Sequence, residues 1–399
     1  MKHMKSIKEI SLKGKKVIVR VDFNVPLNDQ QEITDNTRII GALPTIQKLV
    51  DDGAAVILMS HLGRPKGEKI AKYSLQPIAK ELAKLIGKPI KFVSEVLSQG
   101  VKKTASELED GDIMLLENLR YCSGETKGDE NMAKELASLA DVYVNDAFGT
   151  AHRRHASTAV IADYFPNNKY FGFLMEHEVL NLERALNTKE NPYTAVIGGA
   201  KVSSKIDIIR NLIPKVDNMI IGGGMSFTFI KAMGGKIGSS LYEEDKLELA
   251  SEILNEMVLA GVNIYLPTDV IAADKFDNNA NYKVVDSNKI DDGWMGLDIG
   301  PESLKRFATA VKDSRVVLWN GPMGVFEMDN FSKGTKGVAI AVAAASTSGA
   351  FTAIGGGDSV AAINKYDLGD MLSYVSTGGG AMLEYLEGKV LPGIEAIEK

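Results

Sequence analysis

Two kinds of chemistry recur along this chain, and they occupy different halves. In the first half, cations gather beside a carboxylate and an amide. Asp22 and Asn24 lie in VDFNVP, Arg38 follows in NTRII, and His61 and Arg64 lie in SHLGRP. Arg120 ends ENLR, and Asp146, His152 and Arg153 fall in NDAFGTAHRRH. Only 10 of the 46 basic residues are arginine, and six of those ten precede residue 155. Arginine's planar fork meets carboxylate or phosphate oxygens two at a time, whereas lysine is a point charge. One such arginine reads as a surface ion pair. Four arginines and two histidines recurring after successive strand-like runs read as a pocket for a small, multiply charged anion, with each histidine a donor beside an arginine.

In the second half the same positions carry glycine clusters: IGGAK (197–201), IGGGM (221–225), WNGPMGVFE (319–327), IGGGDS (354–359) and STGGGA (376–381). Glycine lets the backbone approach a ligand and adopt positive φ, and a helix opening behind it offers free N–H groups to phosphate. Turns that merely need glycine would explain one or two clusters; five point to a nucleotide. Asp358, directly after three glycines, is the candidate to meet the magnesium that accompanies nucleotide phosphates, a role compatible with capping a helix. No GxxxxGK[ST] loop, no GxGxxG after the first strand of either half, and no HRD or DFG is present. This argues against a P-loop enzyme, a dinucleotide dehydrogenase and a protein kinase.

The elements that must position these residues alternate. Strand-like runs are expected at 17–25, 54–60, 112–117 and 142–145. After residue 190 they recur at 193–197, 217–221, 262–266, 315–319, 350–354 and 372–375. Helical segments, such as 36–52 ending at Gly53 and 74–86 before Gly87, fall between them. This rhythm predicts an α/β chain of two doubly wound, Rossmann-like parallel-sheet domains joined by a helix, with a cleft between them. The expected division is an N-terminal domain over 1–170, a connecting helix over 171–188, a C-terminal domain over 189–380, and a segment over 381–399 that packs back on the first domain. In such sheets ligands bind beyond the carboxyl ends of the strands, where the cations and glycines fall. One run is unusual. In VIVRVDFNVP, Val19, Val21, Phe23 and Val25 alternate with Arg20, Asp22 and Asn24. Three polar groups on one face of a buried strand need partners, and Arg20 is expected to pair with a carboxylate.

Composition bounds the rest. With 399 residues, 45% hydrophobic and 25% charged, the chain suits a globular protein of two domains or so. A net charge of −6 and a pI near 5.6 argue against nucleic acid or an anionic membrane as a partner. No window holds 18 uninterrupted apolar residues, and MKHMKSIKEI lacks the apolar core of a signal peptide. A cytoplasmic monomer is expected. Cys122, the single cysteine, has no neighbouring base and reads as an incidental thiol.

VDFNVP, SHLGRP, ENLR, DAFGTAHR, GGAKV, WNGPMGVFE, GGGDS and STGGGA, in this order and spacing, resemble the phosphoglycerate kinase family over essentially the whole chain. The resemblance implies reversible, magnesium-dependent phosphoryl transfer from 1,3-bisphosphoglycerate to ADP, giving 3-phosphoglycerate and ATP, a glycolytic step. It implies that Asp22, Asn24, Arg38, His61, Arg64, Arg120 and Arg153 hold the 3-phosphoglycerate. Lys201, Lys205, Asn320, Glu327 and Asp358 match the nucleotide positions. Around the phosphates stand Gly199 of GGAK, Gly223 of the next cluster, and Gly356, Gly357 and Ser359 of GGGDS. Gly378, Gly379 and Gly380 would open a helix toward the transferring group, with Arg38 and Lys201 at its oxygens. Ser359 stands where the family more often has threonine, which keeps the hydroxyl, and Arg154 stands where a small residue is commoner. The nucleophile in the reverse direction is a carboxylate, ionised at pH 7, so no general base is required. A non-catalytic binding protein on the same fold and a dehydrogenase are the competing readings. The intact Arg38, Lys201 and STGGGA argue against the first, and VDFNVP in place of a glycine fingerprint argues against the second.

Overall fold

The computed structural model describes residues 4–399, so the first three residues of the expected N-terminal domain lie outside it. The chain divides into two compact units. One runs through Leu180 and takes in Val390–Lys399; the other is Asn181–Lys389.

The first unit is built on a six-stranded parallel sheet. In spatial order its strands are Ile90–Val93, Ile113–Leu116, Ala55–Met59, Lys16–Val21, Val142–Asp146 and Lys169–Phe171. The inner strands KVIVRV, AVILM, IMLL and VYVND are buried almost throughout, as expected where helices cover both faces of a parallel sheet. Thr37–Asp51 and Gln76–Ile86 supply part of that cover, packing Ile39, Ile46, Ile78 and Leu82 into one core with Val17, Val19, Val56 and Leu58. Gln76–Ile86 stops at Gly87, whose φ of 72° and N–H to the Ala83 carbonyl make a left-handed cap. The two edge strands escape the sequence pattern because IKFV is only partly buried and KYF is only three residues long.

The expected strand over 17–25 ends early. Its last pairing is Val21 with Asp146, and beyond it Phe23 N–H donates to Ser60 Oγ at 2.8 Å while Val25 N–H turns back to the Phe23 carbonyl. Lys16–Val21 and Val142–Asp146 are also where the strand order reverses. Residues 22–26 therefore leave the sheet at its switch point, the place where an open α/β sheet forms a crevice.

The second unit repeats the plan in the order Asn263–Tyr265, Asn218–Ile221, Tyr193–Ile197, Val316–Asn320, Phe351–Gly355 and Tyr374–Val375, all parallel. Its switch point lies between Tyr193–Ile197 and Val316–Asn320. A three-stranded antiparallel sheet of Tyr282–Asp286, Asp269–Ala273 and Met295–Ile299 was not expected from the sequence pattern. YKVVD lies half in solvent at one edge of that sheet, so it lacks the apolar run of a buried strand.

The observed division departs from the expected one at the C-terminal joint. The boundary between the units falls within helix Phe173–Asn187, between Leu180 and Asn181. At the other end the segment that belongs to the first unit begins at Val390 rather than 381. Helix Gly380–Leu386 stays with the second unit, where Asn211 Nδ2 donates to the Leu386 carbonyl at 2.7 Å. Only Pro392–Glu398 packs in the first unit, and Asn145 Nδ2 donates to the Gly393 carbonyl at 3.2 Å. Among the described residues no helix is long and apolar enough to cross a membrane.

Candidate active site

At the carboxyl edge of the first sheet Arg38, His61 and Arg120 gather around Asp22 and the Gly63 turn. Asp22 accepts from Arg38 Nη1 at 3.0 Å, and its other oxygen lies 3.9 Å from His61 Nδ1. Asn24 Oδ1 accepts from Gly63 N–H at 2.8 Å, which holds the HLGRP turn against VDFNVP. Arg120 Nη1 donates to the Gly63 carbonyl at 2.8 Å, while its buried Nε has no partner among the described residues. Arg153 Nε donates to His152 Nε2 at 3.1 Å. Arg64 and Arg153 are exposed and form no ion pair among the described residues. Burial first, and then the charges of Arg20, Arg120 and Arg38, hold the His61 pKa well below its usual value, so the ring is neutral at pH 7. Burial and Arg20 likewise lower the pKa of Arg120. Guanidinium groups outnumber carboxylates here, and a multiply charged anion is the partner that such an excess favours.

Arg20 corrects the sequence reading. It is fully buried, as expected, but no carboxylate touches it. Nε donates to Ser157 Oγ at 2.9 Å, Nη1 to the Val21 carbonyl, and Nη2 reaches His61 Nδ1 at 3.1 Å. The carboxylate is one step further on. Glu125, also fully buried, accepts from Ser157 Oγ at 2.7 Å and from Ser157 N–H at 3.1 Å. Glu125 gave no local signal, since SGETKGDE reads as an exposed polar run.

In the second unit the glycine clusters pack on one another. Gly198 N–H donates to the Asn320 carbonyl, Gly199 N–H to Pro322, and Gly223 N–H to Met323. A Cβ on Gly223, which has φ of 67°, would lie 2.6 Å from the Gly199 carbonyl oxygen. Gly223 is thus required by its neighbours' backbone. Gly199, Gly357 and Gly379 are different, because a Cβ there would meet nothing within 4 Å, leaving space for a ligand. Lys205 Nζ donates to Asn320 Oδ1, and Asn320 Nδ2 donates to the Gly355 carbonyl at 2.6 Å. Burial lowers the Lys205 pKa, with Asp358 and Glu387 opposing it. Lys201 is exposed without an ion pair among the described residues.

Gly199, Gly223, Glu327 and Asp358 line a pocket of about 570 Å³ whose wall includes Phe227, Leu241, Met295 and Val325. This size and largely apolar lining suit a nucleoside. Of the predicted nucleotide positions, Lys201, Lys205, Asn320, Gly356, Gly357 and Ser359 do not line this pocket. Asn320 and Ser359 are fully buried, and Ser359 Oγ accepts from Gly321 N–H at 2.6 Å, so both brace the glycine loops. Asp358 falls in the first turn of helix Gly357–Lys365. The cap position belongs to Gly356, with φ of 91°, so Asp358 is not the N-cap. Gly379 is the cap residue of helix Gly380–Leu386.

Asp298, missed in the sequence, lines the same pocket. Its carboxylate accepts from Ile299 N–H at 2.9 Å and Gly334 N–H at 2.7 Å. Burial nevertheless pushes its pKa up to about 7, against those two bonds. Because the folded value lies above the unfolded one, its contribution is fully present below about pH 4 and is lost as pH rises to about 7. The stability difference between the protein and Asp298→Asn should fall by about 1.4 kcal/mol for each pH unit between those values. Urea titrations of both proteins from pH 4 to 8 measure it, and a flat difference would mean that the carboxyl is ionised throughout.

A family model described as phosphoglycerate kinase matches residues 7–389. The chain belongs to the phosphoglycerate kinase family. Phosphoglycerate kinase of Thermosipho africanus is 53% identical over 393 residues, 98% of this chain and 97% of that protein. The Chloroherpeton thalassium protein of the same name is 52% identical, covering 98% of each. Among solved structures, phosphoglycerate kinase from Coxiella burnetii superposes with a TM-score of 0.91 at 40% identity, covering 99% of both chains. The Pyrococcus horikoshii enzyme gives 0.82 at 30% identity, over 99% of this chain and 98% of its own. The two parallel-sheet α/β units are thus shared with solved phosphoglycerate kinases.

Proposed function

We propose that the chain catalyses reversible phosphoryl transfer from 1,3-bisphosphoglycerate to ADP. In this reading the first unit holds the glycerate substrate and the second the nucleotide. The observation that carries it is the excess of guanidinium groups at the first sheet's edge, where Arg38, Arg64, Arg120 and Arg153 face few carboxylates. Asp22 and Asn24 provide acceptors for a substrate hydroxyl, and neutral His61 provides a donor beside the arginines, with His152 next to Arg153. No base is needed, because the attacking group in the reverse direction is already a carboxylate. The protein's task is to position the reactants and to set cations around the moving group. Lys201 and Arg38 are those cations, Lys205 serves the nucleotide phosphates, and Gly379 and Gly380 open a helix beside the transferring group.

A coupled assay should detect ATP formed from 1,3-bisphosphoglycerate and ADP. In the reverse assay, Arg64→Ala should raise KM for 3-phosphoglycerate about tenfold or more and leave KM for ATP unchanged, since a charged hydrogen bond is worth about 1.5–3 kcal/mol. Equal rises in both would sink the two-site assignment.

Magnesium fits the second unit in a limited way. Among the described residues no group of three or more acidic, histidine or cysteine side chains could cage a metal. Magnesium that travels with nucleotide phosphates needs only one or two carboxylates and keeps several waters, and exposed Asp358 on the pocket lining offers one. Bound there, the ion would offset the phosphates' negative charge. Asp358→Asn should weaken Mg-ADP binding roughly tenfold, about 1.4 kcal/mol, while metal-free ADP binding and the circular dichroism spectrum stay the same. Unchanged Mg-ADP affinity by calorimetry would remove Asp358 from the metal's surroundings.

A further inference from the structure

Arg20, Ser157 and Glu125 are all fully buried, yet the substrate contacts proposed above use none of them. The order of their hydrogen bonds is constrained by chemistry. A guanidinium has only donors, so Ser157 Oγ must accept from Arg20 Nε, at 2.9 Å, and give its own proton to Glu125 Oε1, at 2.7 Å. For the same reason His61 Nδ1, 3.1 Å from Arg20 Nη2, must be a lone-pair nitrogen. Asp22 does not compete for a proton there, because its nearer oxygen lies 3.9 Å away, beyond hydrogen-bond reach. A neutral imidazole with Nδ1 accepting carries its proton on Nε2.

We propose that Glu125, acting through Ser157 and Arg20, is a positioning residue that fixes His61 in the Nε2–H tautomer, as a donor to the anionic oxygens of the glycerate substrate. This rests on the phosphoryl-transfer reading for the identity of the anion. The chain Glu125–Ser157–Arg20–His61 starts at a buried negative charge and ends at a ring beside Asp22, within the substrate pocket. Ionised Glu125 keeps the serine proton turned away from Arg20 and gives the buried guanidinium a counter-charge one bond removed. His155 Nδ1, 3.7 Å from Glu125 Oε1, forms no hydrogen bond, so it does not replace Ser157 as the link. A purely structural role for Glu125 would affect melting but would not select one ring nitrogen of His61.

The test is nitrogen NMR of the histidine rings in the free, full-length protein at pH 7, with Ser157→Ala and Glu125→Gln alongside. His61 should show an unprotonated Nδ1 and a protonated Nε2, and both variants should show mixed tautomers. Both should also raise KM for 3-phosphoglycerate about tenfold, with KM for ATP changed less than about twofold. If Glu125→Gln does not fold, Ser157→Ala decides by itself. A protonated Nδ1 in the parent protein, or an unchanged His61 signal in folded Ser157→Ala, overturns the proposal. The ring signals are read without substrate, so a protein inactive toward 3-phosphoglycerate would refute the functional reading and leave the tautomer result to stand or fall separately.

Discussion

Replacing Arg38 with alanine is expected to lower kcat by at least about a hundredfold and to shift the melting temperature by less than about 4 °C. The two numbers come from different physics. In the protein without substrate, Arg38 makes one ion pair, to Asp22 at 3.0 Å, and its side chain is 37% exposed. Solvent screens such a pair, which contributes at most about 1 kcal/mol to stability. A preorganised cation aimed at charge that develops on a transferring phosphoryl group is typically worth about 3 to 4 kcal/mol in rate, because it requires no reorganisation at the moment of reaction. Lysine at this position should recover only part of the loss, since it supplies charge without the planar fork that Arg38 presents. Steady-state kinetics in the 3-phosphoglycerate direction decide the matter. Near-normal kcat with only KM for 3-phosphoglycerate raised would make Arg38 a binding residue and refute its catalytic role.

Gly321→Ala is expected to destabilise the second unit by about 3 kcal/mol or more, since strained backbone and a backbone clash combine there. Gly321 has φ of 101°, and an added Cβ would lie 2.1 Å from the Gly198 carbonyl oxygen and 2.4 Å from its carbon. Neither side can yield cheaply. Gly321 N–H is held by Ser359 Oγ at 2.6 Å and its carbonyl by Trp319 Nε1 at 2.7 Å. Gly198 is tied by its N–H to the Asn320 carbonyl at 2.9 Å. For a unit of this size the loss corresponds to a fall in melting temperature of roughly 6 to 12 °C. ADP affinity should drop at least about tenfold, about 1.4 kcal/mol, because Gly198 leads directly into Gly199 and Lys201. Affinity for 3-phosphoglycerate should hold, since the arginines belong to the other unit. A loss below about 1 kcal/mol in a denaturant titration, with ADP binding intact, would mean that the loops relax around the methyl group and that the contact does not constrain them.

The cation edge and the glycine edge were legible as patterns because each is a recurrence of residue types at local spacing. HLGRP and GGGDS are runs of adjacent residues, and a parallel sheet places strand ends side by side whatever the details of packing. The inner strands were legible for a related reason: burial on both faces demands continuous apolar runs. The strands Ile90–Val93 and Tyr282–Asp286 meet solvent, and Lys169–Phe171 is only three residues long, so none carries such a run. Their existence follows from pairing with neighbours rather than from their own sequence.

The sequence by itself determined the two-sheet plan, the family, and the two chemical characters of the strand ends. Tertiary structure alone decided which of those residues face a pocket and which brace it. Ser359 and Asn320 look like ligand groups in one dimension and are buried supports in three. Glu125 looks like a solvated surface acid and is the buried counter-charge behind Arg20. The boundary at Val390 was likewise set by packing, since Gly380–Leu386 and Pro392–Glu398 are both short helices assigned to different units by the surfaces they bury. The physical reason is common to all three. Burial and hydrogen-bond partnership belong to pairs of residues far apart in the chain, 32 positions for Glu125 and Ser157 and 38 for Gly321 and Ser359, and no local pattern records a pair.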